Sequence, residues 1–263
     1  MLFALQLLFT FLVGSAWIYL TLRAGQRYGS KVSGFIGGLP STALISFFFI
    51  GLTQSPQAAS EATTAFPLVY GITGFFLAVY AWLIKRGFVF ALGAGLLAWF
   101  FLAAIVASLI PRNFVLSLVA YVLIWMVSYS LLEFKIGVRS ADRSKIISSP
   151  ALTAIRSIFG GLIILLAVLI AKIGGPVWGG IFAAFPALFI STLGLAYKAY
   201  GADFSKAMTK SLFLSGTVTV VIYAIAIRYL YLSTGLYLGT LLSLLITAIC
   251  AFWTYRFIQG KVR

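Results

Sequence analysis

The sequence predicts an all-α polytopic integral membrane protein with about nine transmembrane helices, and three observations carry that prediction. Of its 263 residues 62% are hydrophobic and only 9% charged, with a mean hydropathy of +1.11. A soluble domain is about half apolar and about a quarter charged. Apolar runs of about twenty residues recur along the whole chain, each long enough to cross about 30 Å of hydrocarbon. Proline, glycine and cap residues fall between these runs at the intervals expected of helix ends.

Taken in order, the predicted spans are 2–22, 33–53, 62–84, 88–110, 113–134, 151–171, 176–198, 207–230 and 235–257. The first run is apolar from Leu2 with no basic residue before it. A secretory signal peptide needs a basic leading segment, so this run reads as the first transmembrane helix. Pro111 breaks the chain between spans four and five, and Ser149-Pro150 and Gly175-Pro176 are cap-then-proline helix starts. Pro56 is assigned to the loop after span two and Pro67 to the second turn of span three. Only Pro40 and Pro186 remain well inside spans.

The net charge of +15 raises nucleic acid as a partner, but the cations sit in short loops beside apolar runs. That distribution points to anionic membrane lipid on the cytoplasmic face, and to no nucleic acid. Sixteen Lys and Arg fall in the loops after spans one, three, five and seven and in the C-terminal tail, against three (Arg112, Lys172, Arg228) on the other side. The positive-inside rule then predicts a multi-pass protein of the cell membrane with its N-terminus outside and its C-terminus in the cytoplasm. The single cysteine, Cys250, allows no intrachain disulfide.

A shift of 146 residues pairs Gly14 with Gly160, Ile18 with Ile164, Gly34 with Gly180, Pro40 with Pro186, Ser46 with Thr192 and Thr73 with Thr219. Spans one to four then correspond to spans six to nine. The predicted domains are a first four-helix repeat at 1–110, a connector helix with a basic loop at 111–150, and a second repeat with a basic tail at 151–263. Span one starts outside and span six inside, so the two units are expected to be inverted repeats, an arrangement frequent in transporters.

Paired prolines in such halves point to a substrate site. In a continuous helix Pro40 would free the carbonyl of Ile36 and Pro186 that of Phe182. Their depths, about 12 Å and about 15 Å from opposite ends of their helices at 1.5 Å per residue, are near mid-membrane. The candidate substrate-binding residues are Ile36, Gly37, Gly38, Pro40, Ser41, Thr42 and Ser46 from the first half. From the second half they are Phe182, Phe185, Pro186, Ser191 and Thr192. Taken singly, each proline reads as a kink rather than a site; it is the pairing that brings the two readings level. The hydroxyl stripe Thr63, Thr64, Thr73, Ser211, Ser215, Thr217 and Thr219 is expected to pack helices.

The charge inventory narrows the chemistry. Histidine is absent and there are four acidic residues; Glu61, Glu133, Asp142 and Asp203 all fall at span ends or in loops. No carboxylate or histidine proton relay at mid-depth is expected. Arg156, one turn into span six, is expected to snorkel to the cytoplasmic side. No metal-ligand cluster, no base to activate a serine and no phosphate loop is present in the pattern, so neither an enzyme nor a cofactor is predicted.

The run Gly179-Gly180-Ile181-Phe182-Ala183-Ala184-Phe185-Pro186, with Ser191-Thr192 after it, and the amphipathic start Ala202-Asp203-Phe204-Ser205-Lys206 followed by Ser211 and Ser215, resemble the GlpM-type small bacterial membrane proteins. That resemblance covers roughly 151–257 and implies a four-helix unit, here fused as a doubled chain. The first half departs from the pattern, with Leu39 where the second has Phe185.

A transporter or channel for a small or amphipathic solute follows from this reading, its pathway running between the repeats. A non-transporting accessory subunit or lipid-binding scaffold is the alternative. A homo-oligomer is compatible with either. A reporter fused after Arg263 is expected to be active only in its cytoplasmic form; an extracellular reporter would reverse the orientation.

Overall fold

The computed structural model describes residues 2–27, 39–109, 113–138 and 149–261. Every regular element among them is helical. Helix α1 is Leu2–Arg27, α2 Ser41–Thr53, α3 Pro56–Ala62, α4 Phe66–Leu83 and α5 Phe88–Leu109. Helix α6 is Phe114–Ser130, which continues into a π-turn at Leu131–Lys135. Helix α7 is Pro150–Gly174, α8 Pro176–Ala183, α9 Ala187–Thr234 and α10 Leu236–Lys261.

The helix starts follow their local chemistry. The Ser149 hydroxyl accepts from the Leu152 amide and Pro150 occupies the first turn of α7, a serine cap followed by a proline that has no amide to lose. Asn113 caps α6 in the same way through the amides of Val115 and Leu116. Pro56 is not in a loop as expected: with Ser55 capping the Ala58 amide it opens the short helix α3, which carries Glu61. The third span accordingly starts later than predicted, at Phe66, and Pro67 lies in its first turn.

Among the described residues seven helical stretches are long and apolar enough to cross a membrane, fewer than the nine predicted spans. One of the two differences has a backbone cause. Residues Pro176–Thr234 form one 59-residue stretch that contains spans seven and eight. Inside it Gly201 has φ 83° and ψ −172°, a left-handed region that favours glycine, and the chain turns there. The limbs fold back on each other, since the Ser205 hydroxyl donates to the Leu193 carbonyl at 3.0 Å and the Phe189 ring fills the space beside Gly216. The second span is represented by the shorter α2, whose predicted beginning lies outside the described residues.

Helix α4 is the central one. In its apolar window 83% of the residues are buried, against 17% for α1. The peripheral helices turn large apolar side chains outward: Val89, Leu97 and Phe101 on α5, Leu123 and Met126 on α6, Leu241 and Ile249 on α10. An exposed apolar belt of this extent is what a lipid-facing surface requires.

Helix α1 packs along α7. A Cβ on Gly14 would meet Ile164 and one on Gly160 would meet Ile18; both isoleucines are fully buried. Helix α6 touches both α4 and α9. Its Ser117 hydroxyl accepts the Leu68 amide at the start of α4. Its Tyr121 hydroxyl and Trp125 indole donate to the Thr217 carbonyl (3.0 Å) and hydroxyl (2.9 Å) on α9. The far end of α6 is tied to the same helix by the Lys210–Glu133 ion pair at 2.6 Å.

Among the described glycines the least room is at Gly180, where an added Cβ would run into the carbonyl oxygen of Ala62. Gly180→Ala is therefore expected to cost about 1–3 kcal/mol of stability, measured by thermal melting in detergent. Gly93→Ala, at a helical position with open space around it, is expected to cost nothing measurable.

Candidate functional site

Pro186 does not kink a continuous helix but lies between the end of α8 and the start of α9, and Pro40 directly precedes α2. Pro40 has φ −78° and ψ 53° and is the residue before α2, and Pro186 has φ −77° and ψ 38° and is the residue before α9. At each, the amide after proline reaches back across it: Ser41 to the Leu39 carbonyl at 2.8 Å and Ala187 to the Phe185 carbonyl at 2.8 Å. This is the i to i+2 bond of an inverse γ-turn, which the fixed φ of proline favours.

The break changes which carbonyl is left over. The Phe182 carbonyl, expected to be free, accepts the Phe185 amide at 3.0 Å and is closed off by the turn. The Ala184 carbonyl receives a side chain from the central helix: the buried Thr73 hydroxyl donates to it at 2.8 Å. Thr73 is in turn held by the Trp99 indole, whose Nε1 donates to it at 2.8 Å. The Trp99 ring stands edge-on to the Phe185 ring, with centroids 5.3 Å apart. Helices α4 and α5 thus clamp the break at Pro186. Thr73 fulfils the packing role expected of it and also closes the backbone.

Of the predicted site residues, Ile36, Gly37 and Gly38 lie outside the described residues. Pro40, Ser41 and Ser46 are buried and Thr42 is half-buried. The Ser46 hydroxyl is buried without a hydrogen-bond partner. Pro186 is buried; Phe182, Phe185, Ser191 and Thr192 are half-buried. Helix α2 packs against α7 and α8, so the helix after Pro40 adjoins the one that leads into the Pro186 break. Among the described residues no hydrogen bond joins the hydroxyls of α2 to Ser191 or Thr192.

What Ser191 and Thr192 do meet is Arg156. Its Nε donates to the Ser191 hydroxyl at 3.2 Å and its Nη2 to the Thr192 hydroxyl at 2.8 Å. Arg156 is only 8% exposed, which overturns the expectation that it snorkels to the cytoplasmic side. It lies about 9 Å along α7 from Pro150, at 1.5 Å per residue. The face of α7 explains its direction. Thr153, Arg156, Gly160, Ile164, Ala167 and Ala171 are buried at three- and four-residue spacing, a stripe whose Gly160 and Ile164 meet α1 and whose Ala167 and Ala171 meet Gly179 of α8. Arg156 is thus in register with Gly160 and Ile164, which the 146-residue shift had already singled out. That register was the sequence signal for an inward-pointing arginine.

A second cation lies near the other end of α7. The Nη1 of Arg228 is 3.1 Å from the Thr64 hydroxyl and 3.3 Å from both the Thr63 hydroxyl and the Ser60 carbonyl. Its guanidinium stands 4.4 Å from the centre of the Phe114 ring. Beside it is a small cleft of about 40 Å³ lined by Thr64, Asn113, Ser117, Val177, Trp178 and Ile181. The wall supplied by α8 belongs to the helix that ends at the Pro186 break.

Thr73→Val is expected to cost about 1–3 kcal/mol, because the Ala184 carbonyl and the Trp99 indole both lose their partner inside hydrocarbon. Ser108→Ala, which removes an exposed hydroxyl bonded only to its own helix, is expected to stay within about 0.5 kcal/mol of the parent. Thermal melting of both variants checks the difference.

A family model described as "Protein of unknown function (DUF3147)" matches residues 153–260, a segment that runs from the first turn of α7 to the end of α10 and includes Arg156, the Pro186 break, Ser191 and Thr192. It covers less than half of the chain. No curated protein and no solved structure matches.

Proposed function

We propose that this protein is a carrier or channel for a small or amphipathic solute, with the pathway passing the two proline breaks between inverted four-helix units. One observation carries the reading above the others. Pro40 and Pro186, 146 residues apart, adopt the same turn, with the same amide-to-carbonyl bond at 2.8 Å and a fresh helix immediately after. Membrane helices broken at corresponding places in two halves are the usual framework of a transport site.

Other features support the inverted repeat. Gly14 faces Ile164 while Gly160 faces Ile18, and the same shift converts one contact into the other, as a two-fold relation requires. The family match at 153–260 coincides with the proposed second unit. The likeness of that unit to the GlpM-type proteins belongs to the same proposal. So do the cytoplasmic C-terminus and the anionic lipid held at the basic face. The small cleft beside Arg228, walled on one side by Val177, Trp178 and Ile181 of α8, is assigned as one mouth of the pathway.

The competing reading, a non-transporting scaffold, draws its support from Thr73 and Thr217. Their hydroxyls are fully engaged by neighbours, which makes a dry joint. The readings are separated by flux from proteoliposomes loaded with a mixed panel of small solutes. Wild type is expected to release at least one of them. Pro40→Ala combined with Pro186→Ala is expected to slow that release at least tenfold in protein that still melts cooperatively. Unchanged release from the double variant would remove the breaks from the pathway, and no release by wild type would favour the scaffold.

A further inference from the structure

Arg156 is a cation buried within a membrane span, and no anion among the described residues partners it. The ion pair among the described residues is Lys210–Glu133; Arg156 has Ser191 and Thr192 alone. A buried charge without a counter-charge is costly, and in membrane proteins such a charge marks a substrate or ion pathway. A guanidinium has five N–H donors in a planar fork. Two are engaged, both on the edge formed by Nε and Nη2. The other three, including the end-on pair of Nη1 and Nη2, have no partner among the described residues.

The two hydroxyls fix this fork rather than neutralise it. Ser191 accepts from Arg156 while donating to the Leu188 carbonyl at 3.1 Å, so its orientation is set by its own helix. Both hydroxyls lie in the second turn after the Pro186 break. The halves differ here: the 146-residue shift puts Thr10 where the second half has Arg156, and Ser46 where it has Thr192. Thr10 is satisfied by the Gln6 carbonyl of its own helix, and Ser46 has no partner. The first half keeps hydroxyls at these places but has no charge, so the charged site belongs to the second half alone.

We infer that Arg156, held edge-on by Ser191 and Thr192, binds a singly charged oxyanion through its open end, with the carboxylate of a small organic acid as the matching shape. One negative charge neutralises the single buried cation, whereas a doubly charged anion would leave a net charge in hydrocarbon. Two coplanar oxygens satisfy two parallel N–H groups at once, which a spherical ion cannot do. An anionic lipid's phosphodiester offers the same charge and a similar pair of oxygens. This assignment names the substrate class of the pathway proposed above and rests on that reading for its transport role.

The test is titration of the purified full-length protein in neutral detergent, at constant ionic strength, with sodium acetate, benzoate and chloride, followed by thermal melting and calorimetry. A parallel arm uses nanodiscs with and without phosphatidylglycerol. Acetate or benzoate is expected to raise Tm and chloride to do so far less. Arg156→Gln is expected to weaken carboxylate binding at least tenfold. Arg156→Lys, which keeps the cation but loses the fork, should fall between them and decides the matter where Arg156→Gln does not fold. Protection by phosphatidylglycerol alone, removed by Arg156→Lys, would support the oxyanion and identify its source as lipid. No protection by any probe, equal protection by chloride, or undiminished binding in both variants would overturn the inference. Carboxylate binding without flux would leave the site standing and the pathway fallen. Proline-dependent flux of an uncharged solute, indifferent to Arg156→Lys, would do the reverse.

Discussion

A backbone carbonyl inside hydrocarbon must have a donor, and at Pro186 that requirement organises the surrounding helices. The turn across the proline satisfies Phe182 locally but leaves Ala184 outside both α8 and α9. Its partner is the Thr73 hydroxyl at 2.8 Å, from the helix with the most buried apolar window. An unsatisfied carbonyl at this depth would cost several kcal/mol, ~1 kcal/mol or more even after relaxation. The position of α4 against the break is therefore specified chemically, and Trp99 and Phe185 complete the joint by edge-on ring packing.

The same device recurs at other helix contacts. Thr217 receives Tyr121 and Trp125, and Ser205 bridges the Tyr80 hydroxyl to the Leu193 carbonyl. Hydroxyls that read in the sequence as small packing residues act as directional contacts between helices whose surfaces are otherwise uniformly apolar. Shape alone specifies little between such surfaces, because lipid tails solvate them as well as a neighbouring helix does. Arg156 and Arg228 stand apart from this pattern. Each carries a full charge onto hydroxyl groups, one near each end of α7, and neither is matched by a carboxylate among the described residues.

The membrane class, most of the spans and the break at Pro186 were legible because they depend on local properties: run length, absence of charge, and the missing amide of proline. The errors have equally local causes. Pro56 reads as a loop residue until Ser55 is seen to cap a helix in front of it, and Gly201 reads as part of a loop although one left-handed residue suffices to turn the chain. The site was half legible. Ser191 and Thr192 were named for their closeness to Pro186, but the Phe182 carbonyl was named on the assumption of a continuous helix, which the γ-turn removes.

By itself the sequence determined that this chain is a helical membrane protein, where its helices break, and which residue types stand near each break. Only the tertiary structure decided that Arg156 turns inward to Ser191 and Thr192, and that Thr73 is the donor for Ala184. The physical reason is the uniform apolarity of the helices. A soluble helix announces its buried face by contrast with a polar one, whereas here the lipid-facing and core-facing sides are both apolar. Which side of α7 carries Arg156 into the interior is settled by the glycine contacts of Gly14 and Gly160 with the facing isoleucines, a matter of fit between two helices that no single helix encodes.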